Sequence, residues 1–329
     1  MNPPLLEVRG LEAGFPGPAG GPNLVRGVSF DVRRNEVLGL IGESGSGKTM
    51  TTSAILRLLP EGIEARADDL HFAGTDLQQL DARAFEAFRG IRLAMIFQDP
   101  TGAFNPAKTI GWHMRAVMKR SAARSEELRQ RAQNWRPAAV ALLEDVGIPR
   151  GNDVLGQFPH QLSGGMLQRA LIAIVLALEP DLIVADEPTT NLDNIVERQI
   201  IELFRQMKDR LDAALIFITH DISIARVLCD RMAVMYAGQI IETGTTEDIL
   251  DRPRHPYTQG LIAASTELDA HPHRLTEIPG EGQRSDLTSA RCSFEPRCAL
   301  ARAECRDGDP GMRQLSDFAA VRCVLYDQV

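Results

Sequence analysis

Eight consecutive residues, Gly42-Glu43-Ser44-Gly45-Ser46-Gly47-Lys48-Thr49, constrain this chain more than any other segment. They fit G-x-x-x-x-G-K-[ST] between an apolar run and a helix-like one. The run Val37-Leu38-Gly39-Leu40-Ile41 predicts a short buried strand, and the stretch from Lys48 to Leu59 predicts a helix that Pro60 closes. Glycines lack a Cβ, so the backbone can curl until successive N–H groups face phosphate oxygens, while the following helix presents its positive end to the same anion. Lys48 adds a point charge for β- and γ-phosphates, and the Thr49 hydroxyl is a ligand for Mg²⁺. A plain glycine-rich turn explains the loop but not the strand and helix that flank it.

A second signal is Leu182-Ile183-Val184-Ala185-Asp186-Glu187, an apolar run ending in two carboxylates where a parallel sheet puts its ligand crevice. Asp186 is suited to hold Mg²⁺ through its water shell, and Glu187 to polarise a water for in-line attack on a γ-phosphate. Two acids after a strand can equally cap the next helix; the P-loop shifts the reading toward chemistry. A third signal is Leu162-Ser163-Gly164-Gly165-Met166, which precedes a helix-like apolar stretch from Leu167 to Leu178. Ser163, Gly164 and Gly165 offer a hydroxyl and backbone N–H groups at a helix N-terminus, a further anion site.

The Ser163-Gly164-Gly165 segment, between the P-loop and the acidic strand, resembles the signature motif of the ATP-binding cassette (ABC) ATPases. The resemblance extends over nearly the whole chain, since Gln98-Asp99-Pro100 looks like the Q-loop, Asn191-Leu192-Asp193 like the D-loop and His220 like the switch histidine. It implies that Gln98 senses Mg²⁺ and the attacking water, that His220 contacts the γ-phosphate, and that Asp193 lies near the nucleotide at the subunit boundary. Phe15 is the candidate aromatic to stack on adenine, with plain core packing as the alternative. It further implies that the signature closes over ATP held by a second ABC subunit, so one chain carries halves of two sites. Met166 stands where most signatures carry Gln, and Asn191 where the D-loop usually has a small residue.

Arg254-His255-Pro256-Tyr257-Thr258-Gln259 and the late cysteines resemble the oligopeptide and dipeptide importer branch. The cysteines Cys292, Cys298, Cys305 and Cys323 lack a C-x-x-C pair, which disfavours a zinc ribbon; four thiolates fit a [4Fe-4S] cluster, with zinc or free thiols as alternatives. Cys229 stands apart and is expected as a buried apolar side chain on the helix after His220.

The expected fold is therefore α/β: a P-loop NTPase ABC cassette with a RecA-like core, an antiparallel β subdomain and an inserted helical subdomain, plus a small C-terminal extension. The cassette is expected over 1–250, its helical subdomain over about 99–178, and the extension over 251–329. Leu5 to Val8 and Val25 to Val32 alternate like strands, separated by a turn-rich loop from Pro16 to Pro22. Gly111 to Asp145 has helical spacing interrupted by Pro137, and a helix bearing Ile200, Phe204, Met207 and Leu211 separates strands at Leu182 to Ala185 and Ala214 to Thr219.

Composition narrows the partners. With 36 basic and 44 acidic side chains the net charge is −8, so no overall basic field exists to hold a nucleic acid. The longest apolar run, Ala170 to Leu178, is about half of the roughly 20 residues a spanning helix needs. The N-terminus shows no basic region followed by a long apolar segment, which points away from secretion. The expectation is an ATPase that uses ATP and Mg²⁺ at the cytoplasmic face of the inner membrane, peripheral to two transmembrane permease subunits, with a second ABC ATPase and an extracytoplasmic solute-binding protein as partners. Di- or oligopeptides are the expected solutes; nickel chelates, and a soluble ABC ATPase of translation or DNA repair, are the alternatives.

Overall fold

The computed structural model describes residues 3–16, 23–190, 192–210, 213–270 and 291–326. Most of the loop expected from Pro16 to Pro22, the D-loop Asn191 and Leu211 lie outside the described residues. The chain divides into two compact units, Met1–Gln79 with Phe217–Val329, and Leu80–Ile216.

In the first unit, the strands Leu6–Gly14 and Asn23–Val32 pair antiparallel, with Leu6 opposite Val32 and Val8 opposite Phe30. Their alternation buries Leu6, Val8, Val28, Phe30 and Val32, the pattern of a sheet with one covered face. Glu64–Arg66 and Asp69–Phe72 pair antiparallel with the first strand, and Thr75–Asp76 extends the sheet. A different geometry governs Val37–Ile41. All five of its residues are buried, and it pairs parallel with Arg231–Tyr236, Leu38 opposite Arg231 and Ile41 opposite Val234. Strands covered on both faces read as continuous apolar runs, which is why this one lacks alternation.

Arg231–Tyr236 turns into the antiparallel strand Gln239–Thr245, on which the late strand Ala320–Val321 lies with Val321 opposite Glu242. The helix after the P-loop spans Lys48–Ile55, shorter than the run expected to Leu59, because the residues that follow turn away before Pro60 and Arg57 takes a left-handed φ of 51°. Cys229 is buried as expected, though at the C-cap of the helix Ile222–Leu228 rather than inside it.

In the second unit, Leu93–Ile96 and Leu182–Asp186 form a parallel pair, Ile96 opposite Ala185. The helices Ile110–Ser121, Glu126–Gln133 and Trp135–Asp145 fill the span read as helical. Thr109 and Ser125 cap the first two by accepting the N–H groups of Trp112 and Leu128 at 3.2 and 3.1 Å. Pro137 does not interrupt the helical run as the sequence reading had it. The break falls at Asn134, and Pro137 sits in the first turn of the third helix, where its missing N–H has no intrahelical partner to lose. The helix Asn194–Arg210 buries Ile200, Phe204 and Met207, as the spacing predicts. No helix among the described residues is long and apolar enough to cross a membrane.

Candidate nucleotide-binding site

The loop from Gly42 to Gly47 joins a buried strand to the helix Lys48–Ile55, and its glycines are required by both φ and space. Gly47 caps the helix at φ 102°, a left-handed conformation. A Cβ on Gly42 would lie 2.3 Å from the Met235 carbonyl oxygen, so the strand Arg231–Tyr236 runs too close for any side chain. The loop is tied from that side as well: Gly238 N–H donates to the Ser46 carbonyl at 2.9 Å. Lys48 is buried and its Nζ donates to the carbonyl oxygens of Gly42 at 2.8 Å and Glu43 at 2.9 Å. The ammonium therefore lies curled against its own loop, where phosphate oxygens would compete for it. Ser46 Oγ is buried and has no hydrogen-bond partner among the described residues. Ser44, Gly45 and Thr49 are exposed.

In the second unit, Asp186 ends its strand only 4% exposed, and the next residue, Glu187, takes a positive φ of 42°. That conformation is costly for a residue with a Cβ, and such strain concentrates where a side chain must be aimed. Glu187 Oε2 accepts from Thr190 Oγ1 at 3.0 Å and from Gln98 Nε2 at 3.4 Å. Gln98 and Glu187, 89 residues apart, are thus brought together. Ser163 caps the helix Gly164–Leu176, its Oγ accepting the Met166 N–H at 3.3 Å. Gly165 packs under Val196, whose Cγ1 lies 3.0 Å from the position of an added Cβ. Asp193 has a local role: its Oδ1 accepts the N–H groups of Ile195 and Val196 at 3.0 Å each, an N-cap for the helix Asn194–Arg210.

His220, at the end of the strand Ala214–Thr219, is exposed, and Phe15, one residue past the first strand, is 50% exposed. The P-loop, Phe15 and His220 belong to the first unit; Gln98, Ser163 to Gly165, Asp186, Glu187 and Asp193 belong to the second.

The sequence reading passed over two residues that touch the P-loop. Tyr257, in the helix Pro256–Ala270, accepts the Glu43 N–H at its Oη, 2.9 Å away. Arg297 holds the Glu43 carboxylate through two hydrogen bonds of 2.8 and 3.2 Å. Tyr257 stood within the quoted Arg254 to Gln259 segment, but nothing local in sequence links either residue to Glu43. Around them Tyr236, Tyr257 and Phe294 form a ring cluster with centroids 4.8 to 5.4 Å apart. Upstream, Glu242 is fully buried and accepts the backbone N–H groups of Arg254 at 2.7 Å and His255 at 2.9 Å; its burial raises its pKa above the ordinary carboxylate value. The Nδ1 of buried His255 accepts the Tyr257 N–H at 3.0 Å, and desolvation lowers that imidazole to about 3.

The expected [4Fe-4S] site at Cys292, Cys298, Cys305 and Cys323 does not take a ligating form. Among the described residues no group of three or more His, Cys, Asp or Glu side chains is arranged to hold a metal ion. Cys305 and Cys323 are packed in the interior as thiols, and Cys305 Sγ accepts the Arg302 N–H at 3.4 Å. Burial pushes the Cys292 thiol up to about 11.

A glycine-rich loop capped onto a helix beside a buried parallel strand is the phosphate-binding element of a P-loop nucleotide-binding cassette, and the second unit, by itself, carries a parallel strand tipped by Asp186 and Glu187. The family described as ABC transporter matches residues 25–190, and that described as Oligopeptide/dipeptide transporter, C-terminal region, matches residues 241–305. The chain belongs to the ATP-binding subunits of the ABC transporter family, whose activity is ATP hydrolysis. It is 40% identical over 328 residues to the dipeptide transport ATP-binding protein DppD of Bacillus subtilis (strain 168), covering 98% of this chain and 95% of that one. It is 41% identical over 323 residues to the oligopeptide transport ATP-binding protein OppD of the same organism, covering 97% and 88%. Among solved structures, cbiO1 from Clostridium perfringens, part of the ABC transporter complex cbiONQ, shares the fold with a TM-score of 0.60 at 22% identity, over 82% of this chain and 96% of that one.

Proposed function

We propose that this chain is the ATP-hydrolysing subunit of a membrane importer for di- or oligopeptides. The observation that carries the reading is the joint presence of a complete P-loop, with Lys48 buried against the loop carbonyls, and a C-terminal segment of the oligopeptide/dipeptide transporter type over residues 241–305. In this reading residues 1–250 form the cassette, with the helical subdomain at about 99–178, and 251–329 the extension. The N–H groups of the loop from Gly42 to Thr49 and the Lys48 ammonium bind the phosphates, and Phe15 stacks on adenine. Thr49, Asp186 and Gln98 are hard oxygen donors suited to Mg²⁺, which supplies charge neutralisation at the phosphates. Glu187 holds the attacking water and accepts its proton, Gln98 orients Glu187, and His220 contacts the γ-phosphate. Ser163, Gly164, Gly165 and Asp193 face the nucleotide of a second cassette.

The chain lies at the cytoplasmic face of the inner membrane and delivers its work to two transmembrane permease subunits, fed by an extracytoplasmic solute-binding protein. Reconstitution in liposomes with the permeases, cassette and binding protein encoded beside it tests this. Di- or oligopeptide uptake that requires ATP inside the vesicle is expected; an assembled complex that moves nickel chelates and no peptide, or a chain that joins no permease, overturns it.

One observation favours a cluster in the tail despite its unligated geometry. The Cys292 N–H donates to the Cys305 carbonyl at 3.0 Å, so two of the four cysteines lie on adjoining turns of the chain. We therefore propose a [4Fe-4S] cluster at these positions, formed by rearrangement of the tail. Iron and sulfide determination on anaerobically purified protein decides it, and iron-free protein with a protease-resistant tail refutes it.

A further inference from the structure

Glu43, the first variable residue of the P-loop, is gripped on every polar group it has. Its N–H donates to Tyr257 Oη at 2.9 Å, its carbonyl accepts from Lys48 Nζ at 2.9 Å, and its carboxylate receives the Arg297 guanidinium in a two-pronged pair at 2.8 and 3.2 Å. The two outside partners lie 214 and 254 residues further along the chain. Neither is a loose surface contact: the Tyr257 side chain is fully buried and that of Arg297 is 6% exposed. The guanidinium carbon of Arg297 also lies 5.7 Å from the Tyr236 ring centre and 5.9 Å from that of Phe294, on one side of a ring pair whose centres are 5.3 Å apart. A forked ion pair with aromatic faces near the cation fixes a guanidinium in direction as well as position.

We propose that Arg297 and Tyr257 are positioning residues for nucleotide binding, holding Glu43 so that the phosphate loop is already shaped for its ligand. The proposal deepens, and rests on, the reading of residues 42–49 as the nucleotide site. The physical link is the Glu43 peptide itself. Lys48 binds the carbonyls of Gly42 and Glu43, and arriving phosphates must share or displace that contact. Where the Glu43 carbonyl sits therefore sets how much the loop must rearrange, and Arg297 and Tyr257 decide where it sits. A loop pre-organised in this way avoids an ordering cost on binding. Arg297 belongs to the short turn Glu295–Arg297 between Cys292 and Cys298, so the cysteine-rich tail acts on affinity for ATP from outside the cassette motifs.

The test is titration of the full chain with a fluorescent ATP analogue in the presence of Mg²⁺, at a temperature where each variant is folded by circular dichroism. Arg297→Ala is expected to weaken binding about tenfold, within the range of coupling between linked sites. Arg297→Lys, which keeps the charge and loses the fork, should fall between that variant and the wild type. The exchange Glu43→Arg with Arg297→Glu should recover part of the loss, which a merely structural tail would not do. Tyr257→Phe removes one oxygen from a buried ring and should weaken binding several-fold; it carries the test if Arg297→Ala fails to fold. Folded Arg297→Ala or Tyr257→Phe protein with wild-type affinity, whatever its melting temperature, overturns the proposal. A wild type that binds no better than Lys48→Ala instead overturns the nucleotide reading itself, and the proposal with it.

Discussion

Gln98 and Glu187 meet through a side-chain hydrogen bond of 3.4 Å on the very oxygen that Thr190 also donates to at 3.0 Å. A carboxylate oxygen held by two donors, on a residue at φ 42°, has a fixed direction, and the conformation is one that few side chains tolerate without reason. With Glu187 as the base, Glu187→Gln leaves binding of the ATP analogue within about twofold and lowers turnover of the assembled complex by about a hundredfold or more, in line with general-base catalysis. Steady-state phosphate release beside equilibrium titration measures both; wild-type turnover in the variant would remove the role.

The first and second glycines of the loop, Gly42 and Gly45, should respond differently to the same methyl group. At Gly42 a Cβ meets the Met235 carbonyl at 2.3 Å, whereas at Gly45 nothing lies within 4 Å and only the φ of 79° penalises a side chain. Gly45→Ala is expected to cost about 1 kcal/mol, as left-handed backbone does for a residue with a Cβ. Gly42→Ala should cost several times more, because backbone must move. Urea denaturation of the two variants compares them, and equal losses would mean that the Arg231–Tyr236 strand yields easily.

Ser163 has a structural duty separable from any contact with nucleotide. Losing its cap on the helix Gly164–Leu176 through Ser163→Ala should cost about 1 kcal/mol of stability, while Ser163→Asn, a good capping residue, should retain it. Both variants should nonetheless impair ATP-driven pairing with the partner cassette in sedimentation if the hydroxyl faces the opposite nucleotide. Normal pairing by Ser163→Asn would confine the residue to capping.

How much was legible follows from how far apart the cooperating residues lie. The P-loop, the acid-tipped strand and the signature each complete their chemistry within a few consecutive residues, so the order of side chains nearly states the geometry. Helix breaks were less legible: Pro137 looks like an interruption, yet the first turn of a helix tolerates it, and only the tertiary setting of Asn134 shows where the chain turns. The grip of Tyr257 and Arg297 on Glu43 was invisible, because a contact spanning 214 or 254 positions leaves no periodic trace. The cysteines are legible only as a sequence cluster: their spacing suggests ligands, while burial of Cys305 and Cys323 beside half-buried Cys292 and Cys298 is a tertiary fact that spacing does not carry.

Buried His255 gives the protein an acid-sensitive element. Its imidazole falls from an ordinary 6.5 to about 3 by desolvation, so the folded state carries it neutral while the unfolded chain would take up a proton. The unfolded state therefore binds more protons between those values, and stability rises with pH across that window. The contribution is whole above about pH 6.5 and is lost progressively as pH falls toward 3. His255→Asn, whose side-chain oxygen can still accept the Tyr257 N–H, should flatten the stability profile across this window in denaturant titrations. An unchanged slope would assign the acid sensitivity to other groups.

The pairing of Ala320–Val321 onto Gln239–Thr245 means that the last part of the chain finishes a sheet that the cassette leaves open. Arg322 N–H also donates to the Ile241 carbonyl at 2.8 Å. A protein cut short before this region would keep every motif of the ATPase and still be a poor solute. It would bare the backbone groups of a strand bearing Ile240 and Ile241, inviting a second molecule to take the missing place. The backbone edge of that strand is thus covered by residues that no catalytic motif marks.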